Sequence, residues 1–144
     1  MSPERLWMIS IALHERGHRR LARWVKRLNT AIYHNSLPAG ASVADDIHFG
    51  HHGFGNVVHE NVTIGRNVRM WHNVTLDVRG GGENRLYIED GVRVGANVVI
   101  IAPPGRDMRI GAGARIGAGA TVTHDIPPGA TVVKVAPRVL DPRP

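Results

Sequence analysis

Histidine is the residue type in this chain best placed to do chemistry. Nine are present, and three fall within one short run, Ile47-His48-Phe49-Gly50-His51-His52-Gly53-Phe54-Gly55. An imidazole titrates near neutral pH, so one held beside a hydroxyl could take its proton as the oxygen attacks an activated acyl group. Metal ligation is the other chemistry open to this residue type, with His48, His51, His52, His59 and His72 as donors. Their spacing does not set three on one edge, so no metal is expected. Simple surface placement accounts for His59 and His72, and an irregular start to regular structure accounts for the run itself. The chain has no cysteine, which removes disulfides, thiolate zinc sites and a cysteine nucleophile from consideration.

The element that must position these histidines announces itself as an internal repeat. Aligned in sixes, the chain reads Val58-His-Glu-Asn61-Val62-Thr, Ile64-Gly-Arg-Asn67-Val68-Arg and Met70-Trp-His-Asn73-Val74-Thr, with Leu76 opening the next unit. It resumes as Ile88-Glu-Asp-Gly91-Val92-Arg and Val94-Gly-Ala-Asn97-Val98-Val, and again as Ile110-Gly-Ala-Gly113-Ala114-Arg, Ile116-Gly-Ala-Gly119-Ala120-Thr and Val122-Thr-His-Asp125-Ile126-Pro. The first position is aliphatic, the fourth is Asn, Gly or Asp, and the fifth is small or β-branched. A sharp corner at the fourth position needs φ > 0, which Gly tolerates freely and Asn or Asp better than most. The first and fifth side chains then point inward, and stacked three-strand turns bury one continuous aliphatic column. A helical reading fails, because Asn or Gly at every sixth residue would weaken a helix. In this register His52 occupies a place where an aliphatic residue is expected, and such breaks are reasonable places to look for function. Two interruptions, from Asp77 to Tyr87 and from Ala102 to Arg109, read as loops extruded from the coil. The prolines of Asp125-Ile126-Pro127-Pro128-Gly129 predict its end.

Residues 1–36 read as a helical lead-in. Ser2 can cap, Pro3 suits the first turn, and Leu6, Ile9 and Leu13 recur at helical spacing. Gly17 predicts a break, followed by a second apolar stripe of Leu21, Trp24, Val25, Leu28 and Ile32. Opposite it lie Arg16, Arg19, Arg20, Arg23, Lys26 and Arg27, which hold much of the formal charge of +6. The stripe predicts packing on the rest of the protein or on a neighbouring subunit, with membrane-surface contact of the basic helices as the alternative. No nucleic-acid-binding motif accompanies the cations, so no nucleic acid partner is expected. At 144 residues the chain fits one domain, and 5% aromatics with 17 glycines suit a narrow repetitive core. No run approaches membrane-span length and no signal-peptide pattern opens the chain, so a cytoplasmic location is expected.

The run His51-His-Gly-Phe-Gly-Asn-Val-Val-His-Glu-Asn-Val-Thr-Ile-Gly65, with Val68-Arg-Met-Trp-His-Asn-Val-Thr-Leu76, resembles the serine O-acetyltransferase branch of the hexapeptide-repeat acyltransferases. The nearest likeness is to relatives that acetylate exopolysaccharide building blocks, such as the colanic-acid type. The ending resembles that branch too, through Ile116-Gly-Ala-Gly-Ala-Thr-Val122 and Asp125-Ile-Pro-Pro-Gly-Ala-Thr-Val-Val133. The resemblance implies an all-β fold, a left-handed parallel β-helix over residues 37–144 with its C-terminal tail, preceded by the short helical segment. It supplies the hand, since crossovers between parallel strands are otherwise almost always right-handed. It further implies a homotrimer with acetyl-CoA as acyl donor, bound along the coil between subunits, and a small-molecule acceptor.

By position, the resemblance makes His52 the general base. Gly95, Ala112, Ala118 and Thr123 would line the pantetheine path, and His124, Lys134 and Arg138 the nucleotide end, where cations suit phosphates. His51, His72 and Arg85 fall in the acceptor region. The carboxylate that orients the base aligns near Asn35, with Asp45 or Asp46 as substitutes. His51 stands where the family has Asp, Arg85 where it has a second His, and Lys134-Val-Ala-Pro-Arg138 where it closes with Gly-Val-Pro-Ala-Arg. These departures favour an acceptor other than serine, such as a sugar hydroxyl. Two further readings of the same coil are a non-catalytic trimeric structural or binding protein and a metal-dependent hydratase of the γ-carbonic-anhydrase kind.

Overall fold

The structure is a computed structural model and describes residues 1–136. Two helices, α1 (Pro3–Glu15) and α2 (Arg19–Tyr33), lead into thirteen short strands. These are β1 (Ser42–Val43), β2 (His48–Phe49), β3 (Val57–Val58), β4 (Val62–Ile64), β5 (Arg69–Met70), β6 (Thr75–Val78) and β7 (Leu86–Ile88). They continue as β8 (Arg93–Val94), β9 (Val99–Ala102), β10 (Met108–Ile110), β11 (Arg115–Ile116), β12 (Thr121–Val122) and β13 (Thr131–Val132). Up to β12 every third strand stacks on its predecessor in parallel, and β13 follows β11 because the intervening place is an isolated bridge at Ile126, giving three sheets ordered β1-β4-β7-β10, β2-β5-β8-β11-β13 and β3-β6-β9-β12. The register follows the repeat: Val58 lies on Leu76 and Leu76 on Ile100, while Met70 lies on Val94 and Val94 on Ile116. This is a parallel β-helix with three faces, here called first (β1), second (β2) and third (β3).

The first and fifth positions of the repeat fill it. Val62, Met70, Val74, Leu86, Val92, Val94, Ile100 and Ile110 are all fully buried. Strands this short could not persist alone. Stacking supplies backbone partners above and below while the aliphatic column leaves water. Fourth-position residues Asn67, Asn73, Gly91, Asn97, Gly113 and Gly119 have φ between 52° and 72°, as the corner argument requires.

Several expectations need correction. Asn61 and Asp125 are not among the left-handed residues. Both lie on the edge between third and first faces, where side chains close the turn instead. The Asn61 N–H donates to His59 Nδ1 at 3.0 Å, and Asp125 Oδ1 accepts from Arg109 N–H at 2.9 Å. The coil also runs past Pro127 and Pro128, because Ile126 bridges Ile110 and β13 pairs with β11. Those prolines sit in a corner, where no ladder donor is needed. The extruded loops are shorter than expected, covering residues 79–85 and 103–107, with their flanks in the strands.

The helices form a hairpin over the open N-terminal end of the coil. Ser2 caps α1, its oxygen accepting from Arg5 N–H at 3.4 Å, and Gly17 adopts φ 82° at the break. Trp7 rather than Ile9 is the anchor of α1. It is buried, its ring stacks on Phe49 at 5.9 Å, and Nε1 donates to Pro38 O at 2.8 Å. The buried face of α1 is Pro3, Leu6, Trp7, Ser10 and Ile11, while Ile9 is exposed, since the large indole sets which side turns inward. In α2 only Ala22 and Asn29 are buried, and the apolar stripe Leu21, Trp24, Leu28 and Ile32 faces outward. Asn29 fixes the hairpin by donating from Nδ2 to Pro3 O at 2.9 Å.

Candidate functional site

The three-sided coil sorts the functional candidates by edge, and the edge between second and third faces gathers the histidines. There the chain leaves β2 through a 3-10 turn, Gly50–Gly53, in which His51 and His52 take φ of 51° and 57°. Two consecutive left-handed non-glycine residues store strain of roughly 1–3 kcal/mol each. The turn is held from below. Gly53 is buried, and a Cβ there would lie 2.8 Å from both the Phe49 ring and Asn56 Nδ2. Both histidines consequently project from the scaffold, exposed.

Each imidazole has one aromatic neighbour. His51 meets His72 edge-on with ring centroids 5.1 Å apart, and His52 lies 5.8 Å from the Tyr33 ring. Tyr33 also touches Phe54 at 6.0 Å and donates its hydroxyl to Met1 O at 2.6 Å. The end of α2 thus braces the histidine turn. Nδ1 of His72 is buried without a hydrogen-bond partner. Beneath it, fully buried Asn56 clamps the turn that carries His72, donating to Trp71 O and accepting from Val74 N–H, both at 2.9 Å. Tyr33 and Asn56 were not foreseen. Nothing in the spacing marks Tyr33, which reaches the coil only through the hairpin. Asn56 carried a signal, a polar residue beside an aliphatic core position.

An open recess of about 760 Å³ lies in front of the turn, lined by Glu4, Arg5, Asp45, His48, His51 and His52 among others. Its carboxylates are not poised on an imidazole. Glu4 Oε1 accepts from Phe49 N–H at 2.9 Å, tying α1 to β2. Asp45 and Asp46 are exposed on the edge between first and second faces. Asn35 is buried and committed to the hairpin, its Nδ2 donating to Asn29 Oδ1 at 3.1 Å while its own Oδ1 has no partner.

The remaining candidates are spread over all three edges. Gly95 and Ala118 share the edge of His52 and His72 in successive turns, so close that a Cβ on Gly95 would lie 2.7 Å from Ala118 N. The stem of Lys134 reaches the same edge over Gly119, 3.3 Å from where a Cβ would stand. Arg85, Thr123 and His124 lie on the edge between third and first faces. There Arg85 donates from Nε to Thr63 Oγ1 at 3.3 Å. Ala112 lies on the edge between first and second faces, its N–H donating to Glu89 Oε2 at 2.9 Å. Arg138 falls outside the described residues. Among the described residues no three His, Asp or Glu side chains converge as a metal-binding set, and no helix is long and apolar enough to cross a membrane.

The chain is similar to known proteins in sequence and in fold. Over 130 residues the chain is 33% identical to a serine acetyltransferase of Mycobacterium tuberculosis, covering 89% of this chain and 55% of that one. The Escherichia coli K12 serine acetyltransferase is 30% identical over 130 residues, covering 89% of this chain and 46% of the other. The chain is thus similar to serine acetyltransferases over most of its own length. Among solved structures, soybean serine acetyltransferase complexed with serine superposes at TM-score 0.78 with 33% identity, covering 88% of this chain and 51% of that one. The Brucella abortus S19 serine acetyltransferase in complex with coenzyme A gives 0.79 at 26% identity, covering 93% and 52%. No protein-family model matches the chain. The chain spans about half the length of the curated relatives it matches.

Proposed function

We propose that the protein is an acetyl-CoA-dependent O-acetyltransferase that acts as a cytoplasmic homotrimer on a hydroxyl of a small acceptor, with His52 as general base. The observation that carries this reading is the placement of His52. It stands exposed at the open recess, on the edge that also holds His72, Gly95, Ala118 and the Lys134 stem. The serine acetyltransferase solved with coenzyme A superposes on almost the whole described chain, which supports acetyl-CoA as donor.

The chemistry asks little of the remaining side chains. His52 takes the proton of the acceptor hydroxyl as its oxygen adds to the thioester carbonyl. A backbone N–H steadies the tetrahedral oxyanion. Collapse expels the coenzyme A thiolate, which recovers the proton from the imidazolium, leaving an acetyl ester and free thiol. Tyr33 limits how far the imidazole can swing. Gly95 and Ala118 keep the edge smooth enough for a pantetheine arm, and Lys134 offers a cation for phosphate. In a trimer the edges of neighbouring copies would meet, which would allow Thr123, His124, Arg85 and Ala112 to complete a site that one chain leaves dispersed. With His51 in place of a carboxylate and Glu4 committed to Phe49 N–H, only Asp45 is left as a carboxylate of the recess, and a sugar hydroxyl is favoured over serine.

The test is to incubate the protein with acetyl-CoA and a panel of amino acids, sugars and nucleotide sugars, and to measure free thiol. His52→Ala should lower release by about 10²-fold or more, the usual worth of general base catalysis. Release unchanged by that substitution would remove His52 from the mechanism. Coenzyme A binding without turnover on any acceptor would point instead to a non-catalytic trimeric binding protein.

A further inference from the structure

The face of α2 that the fold leaves uncovered is organised in a way the acetyl-transfer site does not use. Leu21, Trp24, Leu28 and Ile32 are 53%, 66%, 51% and 49% exposed, and their spacing sets them along one side of the helix. The helix packs on the protein through Ala22 and Asn29 instead. Its remaining surface carries Arg19, Arg20, Arg23, Lys26 and Arg27, and no acidic residue occurs between Arg16 and Ala44. Arg20, Arg23 and Arg27 surround Trp24 in a shallow open recess, with the Arg27 guanidinium carbon 5.6 Å from the indole centroid. Burying the stripe against a second copy would bring two such cation sets near each other, with no acid in the segment to offset them. A surface that is apolar at the level of the stripe and negatively charged just above it suits both features at once.

We propose that α2 docks the protein on an anionic phospholipid surface, lying in the plane of the bilayer with Leu21, Trp24, Leu28 and Ile32 in the acyl boundary and the arginines among the headgroup phosphates. Trp24 suits the interface, because its indole is apolar in body and polar at one edge. The hairpin caps one end of the coil, so a cyclic assembly would place every α2 at the same end. The recess at His52 would then stand beside the membrane.

The experiment is co-flotation of the full chain with vesicles of phosphatidylcholine alone and of phosphatidylcholine mixed with phosphatidylglycerol. Partitioning onto the mixed vesicles should exceed that onto neutral ones by tenfold or more, and should fall as salt is raised. Arg20→Gln and Arg27→Gln should each reduce it by about fivefold, the effect of one surface cation. Leu28→Asp should abolish it while leaving helix content unchanged, since Leu28 is half exposed in the free chain. Equal partitioning onto both vesicles, none onto either, or binding indifferent to the substitutions would overturn the proposal. So would absence of vesicle binding together with a fall in oligomer mass for Leu28→Asp, which would assign the stripe to a neighbouring copy.

Discussion

Asn56 offers the sharpest test of how the histidine edge is held. Its side chain is fully buried and makes two hydrogen bonds of 2.9 Å, to Trp71 O and from Val74 N–H, spanning the turn on which His72 rides. Asn56→Ala would leave the buried Val74 N–H and the part-buried Trp71 carbonyl without this partner. Each such group costs about 1–3 kcal/mol, so the loss should be about 2–6 kcal/mol. That is a large share of the roughly 5–15 kcal/mol that holds a domain together. Asn56→Asp separates the polar loss from the cavity, because it keeps the shape and the acceptor for Val74 but cannot donate to Trp71 O when ionised. Urea unfolding followed by circular dichroism reads both variants. Both variants should be less stable than wild type, with unchanged m-values. If Asn56→Ala lowered the unfolding free energy by less than about 0.5 kcal/mol, the turn would be held by its backbone alone and the clamp would be wrong.

The coil makes three further outcomes testable. Gly95→Ala sets a Cβ 2.7 Å from Ala118 N and 2.9 Å from its Cα, so the turns bearing β8 and β11 must separate, at a cost of about 1–3 kcal/mol. Gly81→Ala, with open space around it, should stay within about 0.5 kcal/mol in the same denaturation assay. Met70→Ala empties part of the aliphatic column at a fully buried position and should cost about 2–5 kcal/mol, lowering the melting temperature visibly by calorimetry.

Much of this molecule is determined by short-range sequence. An aliphatic residue, a left-handed-tolerant residue and a small or branched one recur every sixth position, and each requirement is local: an inward pointer, a corner, a narrow fit. That is why the strands from Val58 to Ile126 could be read in one dimension, whereas His52, read at an aliphatic place of the register, lies in a turn and Phe49 fills that place on Met70. The helix boundaries were legible for the same reason, through Ser2, Pro3 and Gly17. Where local chemistry had equivalents, the reading slipped. Asn61 and Asp125 look like Asn67 and Asn73, yet their edge is closed by side-chain hydrogen bonds.

Other features belong to the tertiary structure alone, because they depend on residues far apart in the chain meeting in space. An apolar stripe does not say what covers it. Trp7 finds Phe49 and the Pro38 carbonyl, whereas Leu21, Trp24, Leu28 and Ile32 stay exposed on the described chain. Asn35 turns to Asn29 rather than toward a histidine, and Tyr33 reaches His52 only because the hairpin folds back over the coil. A repeat fixes the shape of a prism from neighbours along the chain. Which side chains crowd one of its corners depends on how many residues each turn spends, and only the closed coil makes that sum.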